Sequence, residues 1–263
     1  MKIIVCIKQV PDTTEVRIDP VKGTLIRDGV PSILNPDDNS ALEEALRIKE
    51  TLGQDTTVTV ITMGPPQAEE ILRQAMAMGA DSAYLLSDRA FAGSDTWATS
   101  NAIAAAIKSI DNFDIVFCGR QAIDGDTAQV GPQIAQRLGM AQVTYVQSLR
   151  VEGNSIIVDR ALEDGYETIQ VTTPVLLTAI KELNTPRYMS INGIFDAFRE
   201  KEIKVLGIKD IGLDPALTGL TGSPTQVRKS FTPEPKGKGE MLTGSVKEMS
   251  DQLVIKLKQK HLI

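Results

Sequence analysis

What most constrains this chain is a repeated alternation of short apolar runs with longer amphipathic ones. Residues 2–8, 57–63, 82–87 and 114–118 are rich in Val and Ile, bounded by turn residues, and read as buried strands. Between them, Ala41, Leu42, Ala45, Leu46, Ile48 and Leu52 fall at helical spacing and stop at Gly53. A second helical pattern runs from Pro66 to Met78 and stops at Gly79, and a third, rich in Ala, covers 96–110. Strands that alternate with helices need right-handed crossovers, and these build a parallel sheet covered on both faces. The expected fold is therefore a doubly wound, mostly parallel α/β sheet of the Rossmann-like, adenine-nucleotide-binding kind. With 263 residues, 42% of them hydrophobic, the chain can bury one sizeable core.

Other stretches decorate that core. Residues 16–27 read as a hairpin around Pro20-Val21-Lys22-Gly23. After residue 140 the segments 143–151, 155–161 and 166–178 suit added sheet strands rather than a further crossover. The stretch 208–243, rich in Gly, Pro, Thr and Lys, reads as an extended arm, and helical spacing returns from Ser245 to Lys260. We expect a nucleotide-binding domain over 1–205, and an arm with a helix over 206–263. The apolar stripe of that helix suits packing on its own domain or on a partner subunit equally well.

Several chemistries lack material. A net charge of −6 with no basic stripe argues against nucleic acid. The opening run is too short for a signal peptide, and no apolar run approaches a membrane span, so a cytoplasmic protein is expected. Cys6 and Cys118 lie inside strand-like runs, where a reduced thiol packs as a small hydrophobe. His261 is the sole histidine, which leaves nothing from which to build a zinc site or a His-based triad.

In an open parallel sheet, ligands bind beyond the carboxyl ends of the strands. That rule selects the segments Gln9-Val10-Pro11-Asp12, Gly64-Pro65-Pro66-Gln67, 88–96 and 119–127. In the last of these, Gly119, an Asp124-Gly125 turn and Thr127-Ala128-Gln129 opening a helix would present backbone N–H groups to a phosphate. The carboxylates of Asp124 and Asp126 would repel that phosphate, so Asp126 is assigned to capping and Asp124 to a hydroxyl or structural role. An ordinary capped strand–helix turn explains the same residues, and neither a Gly-x-Gly-x-x-Gly nor a Walker A loop is present. Gly64-Pro65-Pro66 likewise reads as a turn with Pro opening a helix.

Taken together, these loops resemble the electron-transfer flavoprotein beta family. The strongest match is 158–169, Val-Asp-Arg-Ala-Leu-Glu-Asp-Gly-Tyr-Glu-Thr-Ile, continued by Pro174-Val175-Leu176-Leu177-Thr178. It is similar to the family signature of a basic residue, an acidic pair, a Glu, then Pro before an apolar run. Residues 121–132 are similar to the family's adenine-nucleotide loop, and Leu183-Asn184-Thr185-Pro186-Arg187-Tyr188 to the segment before its partner-recognition loop.

The resemblance implies a heterodimer with an alpha subunit that carries a redox FAD. One branch of the family holds only AMP in the beta subunit. Another holds a second FAD there, oxidises NADH, and splits the electrons between a high-potential dehydrogenase and a low-potential ferredoxin or flavodoxin. Asn35-Pro36-Asp37-Asp38, Gly64–Glu69 and Phe91–Thr99 look like the second branch. By resemblance, the cofactor site comprises Cys6, Ile7, Lys8, Asn35, Asp38, Met63, Gly64, Pro65, Pro66 and Gln67. It continues through Arg89, Ser94, Asp95, Thr96 and Thr99 to Gly119, Gln121, Ala122, Asp124, Gly125, Asp126, Thr127, Ala128, Gln129, Val130 and Gly131. Small residues at 92–94 suit a flat ring, with Thr96 and Thr99 as hydrogen-bonding partners, Arg89 as a nearby charge, and Trp97 as packing. Side chains alone supply no catalytic group; the flavin does the hydride chemistry. Tyr188, Met189, Ile191 and Asn192 are expected to dock an acyl-CoA dehydrogenase-type flavoenzyme, with Ile191 the apolar anchor. A standalone adenylate-transferring enzyme would instead call for a Ser-Gly-Gly-x-Asp loop after the first strand.

Overall fold

The computed structural model describes residues 1–12, 31–53, 55–110, 112–228, 237 and 239–263. The hairpin expected at 16–27 lies outside the described residues, and the arm is described only in part. In chain order the elements begin with β1 (Lys2–Cys6), β2 (Gln9–Pro11), β3 (Ser32–Leu34), α1 (Pro36–Leu52), β4 (Thr57–Met63), α2 (Glu69–Met78), β5 (Ser82–Leu86) and α3 (Thr96–Ile110). There follow β6 (Ile115–Gly119), α4 (Val130–Leu138), β7 (Ala141–Glu152), β8 (Ser155–Ala161), β9 (Tyr166–Thr172), β10 (Val175–Ala179), α5 (Ile191–Arg199), β11 (Ile203–Leu206) and α6 (Val246–Gln259).

Nine strands form one sheet in the order β11-β5-β4-β1-β6-β10-β7-β8-β9. Pairing is parallel from β11 to β7 and antiparallel through β8 and β9, so the expected doubly wound, mostly parallel sheet is present. The period of two along β1 explains the two-sided core. Ile3 and Val5 join Leu42, Leu46, Ile71 and Leu72 of α1 and α2, whereas Ile4 and Cys6 join Ile103, Ile107 and Ile134 of α3 and α4. The chain leaves β1 toward β4 and β5, then returns to β6 on its other side. The strand order therefore reverses between β1 and β6, and it is beyond the carboxyl ends at such a switch point that open α/β sheets bind ligands.

Three local features depart from the sequence reading. The run 166–178 divides at Pro174, which has no N–H for a ladder. β9 remains in the antiparallel meander, while β10 enters the centre of the sheet between β6 and β7. The helix expected to open at Thr127 begins instead at Val130, because Asp126 (φ 53°) and Ala128 (φ 52°) take left-handed backbone conformations. Residues 207–225, read as arm, fold back onto the loop after β5: the Leu220 N–H donates to the Ala92 carbonyl at 3.1 Å, and the Asp95 N–H to Ser223 Oγ at 2.8 Å.

The chain divides into two compact units. The described residues of the first reach from Met1 through Arg228, and those of the second are residue 237 and 239–263. Within the second unit, α6 opens with a capping box in which Ser245 Oγ accepts the Glu248 N–H and the Glu248 carboxylate accepts the Ser245 N–H. Val246, Leu253 and Ile255 are exposed on it.

Candidate functional site

The loops selected by the carboxyl-end rule converge at one end of the sheet, where a network of polar side chains holds them. Asp38, in the first turn of α1, is buried and accepts two backbone N–H groups, one just beyond β1 and one at the end of β6. These are Lys8 to Oδ2 at 2.8 Å and Gly119 to Oδ1 at 2.8 Å. Burial pushes its carboxyl up to about 7, against the opposing pull of the Asn35 amide and of those N–H groups. The neighbouring Asp37 is also buried and raised by burial, with the Arg120 guanidinium pulling the other way. The Asp37–Arg120 ion pair spans 3.4 Å. Arg120 in turn stacks against Tyr145, 5.7 Å from the ring centre, and Tyr145 has φ 57°, a conformation that bulky residues rarely adopt.

Asn35 braces the loop after β6. Its side-chain amide donates to the Gln121 carbonyl at 2.9 Å, its Oδ1 accepts the Ile123 N–H at 3.1 Å, and its own N–H donates to the Lys8 carbonyl. Lys8 Nζ closes the same loop through Asp124 at 2.7 Å, which gives Asp124 a structural partner. Asp126 Oδ1 accepts a hydrogen bond from Gln121 Nε2. Gly125 and Asp126 both donate their N–H groups to the Ala122 carbonyl, forming a tight turn. Beyond it, the N–H groups of Thr127, Ala128 and Gln129 have no hydrogen-bond partner among the described residues. With left-handed residues at 126 and 128 and the N-terminus of α4 behind, these N–H groups form a concave donor set suited to a phosphate. Gly131 packs α4 onto the sheet: a Cβ there would stand 2.8 Å from Thr178 Cγ2.

A second helix N-terminus adjoins the first. Thr96 Oγ1, at the start of α3, donates to Gln129 Oε1 at 2.8 Å, so the α3 and α4 entrances are tied together. Asp95 caps α3 through the Ala98 N–H at 3.0 Å and accepts both the N–H and the hydroxyl of Thr225. Burial would raise its carboxyl, but these bonds outweigh it and hold it below the usual range. Ser94 Oγ donates to the Phe91 carbonyl and accepts the Gly219 N–H. The side chains of Ser94 and Asp95 are therefore occupied within the protein, while Thr99, one turn into α3, is half-buried. Pro65, Pro66 and Gln67 are exposed at the entrance to α2, and Gly64 donates its N–H to Leu86 at 3.0 Å. Met63 is half-buried at the end of β4, and Arg89 is exposed. Trp97 is half-exposed, with the Arg137 guanidinium 4.2 Å from its ring centre, so it is less enclosed than a packing role implies.

Cys6, Ile7 and Cys118 are buried beneath these loops, and the Cys118 thiol is pushed well up by the adjacent Cys6 thiol and by burial. They form the floor. Gln9-Val10-Pro11 is not a free loop but strand β2, paired with β3 in antiparallel register.

A separate surface surrounds the residues expected to dock a partner. Tyr188 is 96% exposed and Ile191 86%, and Met189 and Asn192 are exposed as well. Ile191 opens α5, and Ile194, Phe195 and Phe198 continue one exposed apolar stripe along it. The docking segment expected at 188–192 covers only the start of this helix, whose signal in the sequence is the i, i+3, i+4, i+7 spacing of those four residues. The segment leading to α5 is fixed by Arg187, which donates to Glu43 Oε2 at 2.8 Å and also to Glu50. Arg187 is held well above its usual range by those carboxylates, and burial of Glu43 is outweighed by its bonds from Arg187 and Arg47.

The reversed strand order and mostly parallel sheet define a doubly wound, Rossmann-like α/β fold. The electron transfer flavoprotein domain matches residues 22–210, and the chain belongs to the electron transfer flavoprotein family, on its beta-subunit side. It is 62% identical over 263 residues, all of both chains, to the electron transfer flavoprotein subunit beta of Thermoanaerobacterium thermosaccharolyticum. It is 61% identical over 264 residues, again all of both, to the caffeyl-CoA reductase-Etf complex subunit CarD of Acetobacterium woodii. Over 271 residues it is 51% identical to the acryloyl-CoA reductase electron transfer subunit gamma of Anaerotignum propionicum, covering both chains fully. No helix among the described residues is long and apolar enough to cross a membrane.

Proposed function

We propose that this chain, joined to an electron transfer flavoprotein alpha subunit, holds an FAD at the carboxyl end of its sheet and receives a hydride from NADH there. The electrons then divide between an acyl-CoA dehydrogenase-type flavoenzyme and a low-potential ferredoxin or flavodoxin. The observation that carries this reading is the pair of joined helix entrances. The unpartnered N–H groups of Thr127, Ala128 and Gln129 suit a dinucleotide's phosphates, and the Thr96–Gln129 bond sets the α3 entrance beside them. The bound flavin would supply two-electron acceptance and one-electron release.

The chain's own residues bind and orient. Asn35 and Lys8 would hold the nucleotide loop in shape, Thr96 and Thr99 would line the ring side, and the exposed Pro65–Gln67 entrance would admit NADH. The exposed stripe of α5 would dock the dehydrogenase-type partner; two relatives carry names of CoA-ester reductases. The second reading, a structural AMP, draws on the same loop, because AMP needs only the donor set at 127–129 and nothing at the α3 entrance. Thr99→Val separates the two, because its side chain is not tied to the 127–129 loop: weakened flavin retention in the purified complex supports FAD, and unchanged nucleotide retention supports AMP.

A further inference from the structure

The apolar face of α5 projects from a helix that has little to hold it. It has nine residues, too few for a stable isolated helix, and Ala197 is its one buried side chain. Its orientation has to be set by devices other than core packing. Three are present. Ser190 Oγ caps its start by accepting the Gly193 N–H at 2.9 Å. Gly193 lies so near α2 that a Cβ on it would stand 2.1 Å from the Ala77 carbonyl oxygen. At the other end, Arg73 of α2 donates from one Nη to the Ala197 carbonyl and, at 2.7 Å, to the Lys201 carbonyl.

Arg73 is itself fixed. Its Nε and other Nη both donate to Glu69 Oε1, at 3.1 and 2.8 Å, and its side chain is mostly buried. The guanidinium is also 6.0 Å from the centre of the Phe198 ring, one of the exposed aromatics of the stripe. A cation at a helix C-terminus meets the carbonyls that have no partner within the helix. A planar fork can meet two carbonyls and a carboxylate at once, which an ammonium on a flexible stem does less well.

We propose that Arg73 is a positioning residue for partner docking: it clamps the C-terminal end of α5 and, with the close approach at Gly193, sets the angle at which Ile191, Phe195 and Phe198 meet a dehydrogenase-type flavoenzyme. This inference rests on the docking role proposed for α5. It adds a residue on another helix, which contributes through α5 rather than through a primary contact of its own.

The test uses the full alpha-beta complex carrying Arg73→Ala or Arg73→Lys. Flavin content is measured first, then kcat and KM with an acyl-CoA dehydrogenase as acceptor, and finally the rate with a small dye that needs no docking. Arg73→Ala is expected to raise KM for the protein acceptor by at least ~10-fold with flavin content and dye rate unchanged, and Arg73→Lys to fall between it and the wild type. A KM within twofold of wild type, or a dye rate that falls in parallel with the protein acceptor rate, overturns the inference. If Arg73→Ala fails to assemble, Arg73→Lys and Gly193→Ala are read by the same criteria. Ile191→Ala run alongside separates the two levels. If it leaves KM unchanged, the docking role itself fails; if it raises KM and the Arg73 variants do not, only the positioning inference fails.

Discussion

Asp38 and Gly119 are locked together at the switch point between β1 and β6: the Gly119 N–H reaches Asp38 Oδ1 at 2.8 Å, and a Cβ on residue 119 would stand 2.3 Å from that same oxygen. A buried carboxylate thus fills the place at the switch point where backbone N–H groups would otherwise meet a ligand's anion. The open donors lie one loop further on, at 127–129.

Asp38→Asn keeps the shape but turns an N–H toward one of two N–H donors, and should destabilise the protein by about 1–3 kcal/mol. The pH dependence has a definite sign. Because burial raises the folded-state value to about 7 from 3.8, the stability tied to protonated Asp38 is fully present below 3.8 and is lost as pH rises through 7. The gap between wild type and Asp38→Asn should therefore narrow from pH 5 to pH 8 in urea unfolding; a gap that widens contradicts this.

Arg187→Ala removes one of the two cationic partners of Glu43, whose side chain is buried, and the partner of Glu50. A loss of about 1–3 kcal/mol is expected at pH 7 from unpairing a charged hydrogen bond. Glu43 is held below its usual range, so the sign is opposite to that of Asp38. The stability from the pair is present above the unfolded value of 4.5 and is lost as pH falls through the lower folded value. Thermal unfolding at pH 7 and pH 3 should show the penalty shrinking in acid.

Gly131→Val should loosen the nucleotide loop without touching it. Even a Cβ would press on Thr178 Cγ2 at 2.8 Å, which forces α4 away from the sheet at a cost of about 1–3 kcal/mol. Nucleotide content per complex should fall in the purified variant, with the α5 surface unaffected.

Ile191→Ala and Phe195→Ala remove exposed apolar groups from α5, so stability should change by less than about 0.5 kcal/mol. Electron transfer to a dehydrogenase-type acceptor should fall by roughly tenfold if these are anchors of the contact. Stopped-flow transfer rates with unchanged melting temperature would separate docking from folding.

The parallel core was legible because its signal is local. β-branched runs such as 57–63 and helical spacing such as 41–52 survive in any environment that buries them. The ends of elements were less legible. Ala128 carries no mark of a left-handed backbone, so the sequence suggests a start for α4 at 127; Pro174 marks a break in the run 166–178, but nothing in the run shows that its two halves serve distant places in the sheet. Within the candidate site, the loops were found by the carboxyl-end rule, but the division of labour was not. Asp38, Asn35, Ser94 and Asp95 spend their polar atoms on backbone groups far away in sequence, and such pairings leave no local pattern.

The most direct test of the central claim is the flavin and AMP released by denaturing the purified alpha-beta complex, measured alongside its bleaching by NADH. Two FAD per heterodimer, no AMP and rapid bleaching are expected. One FAD with one AMP and no response to NADH would contradict the claim and leave this chain a structural nucleotide holder and docking platform.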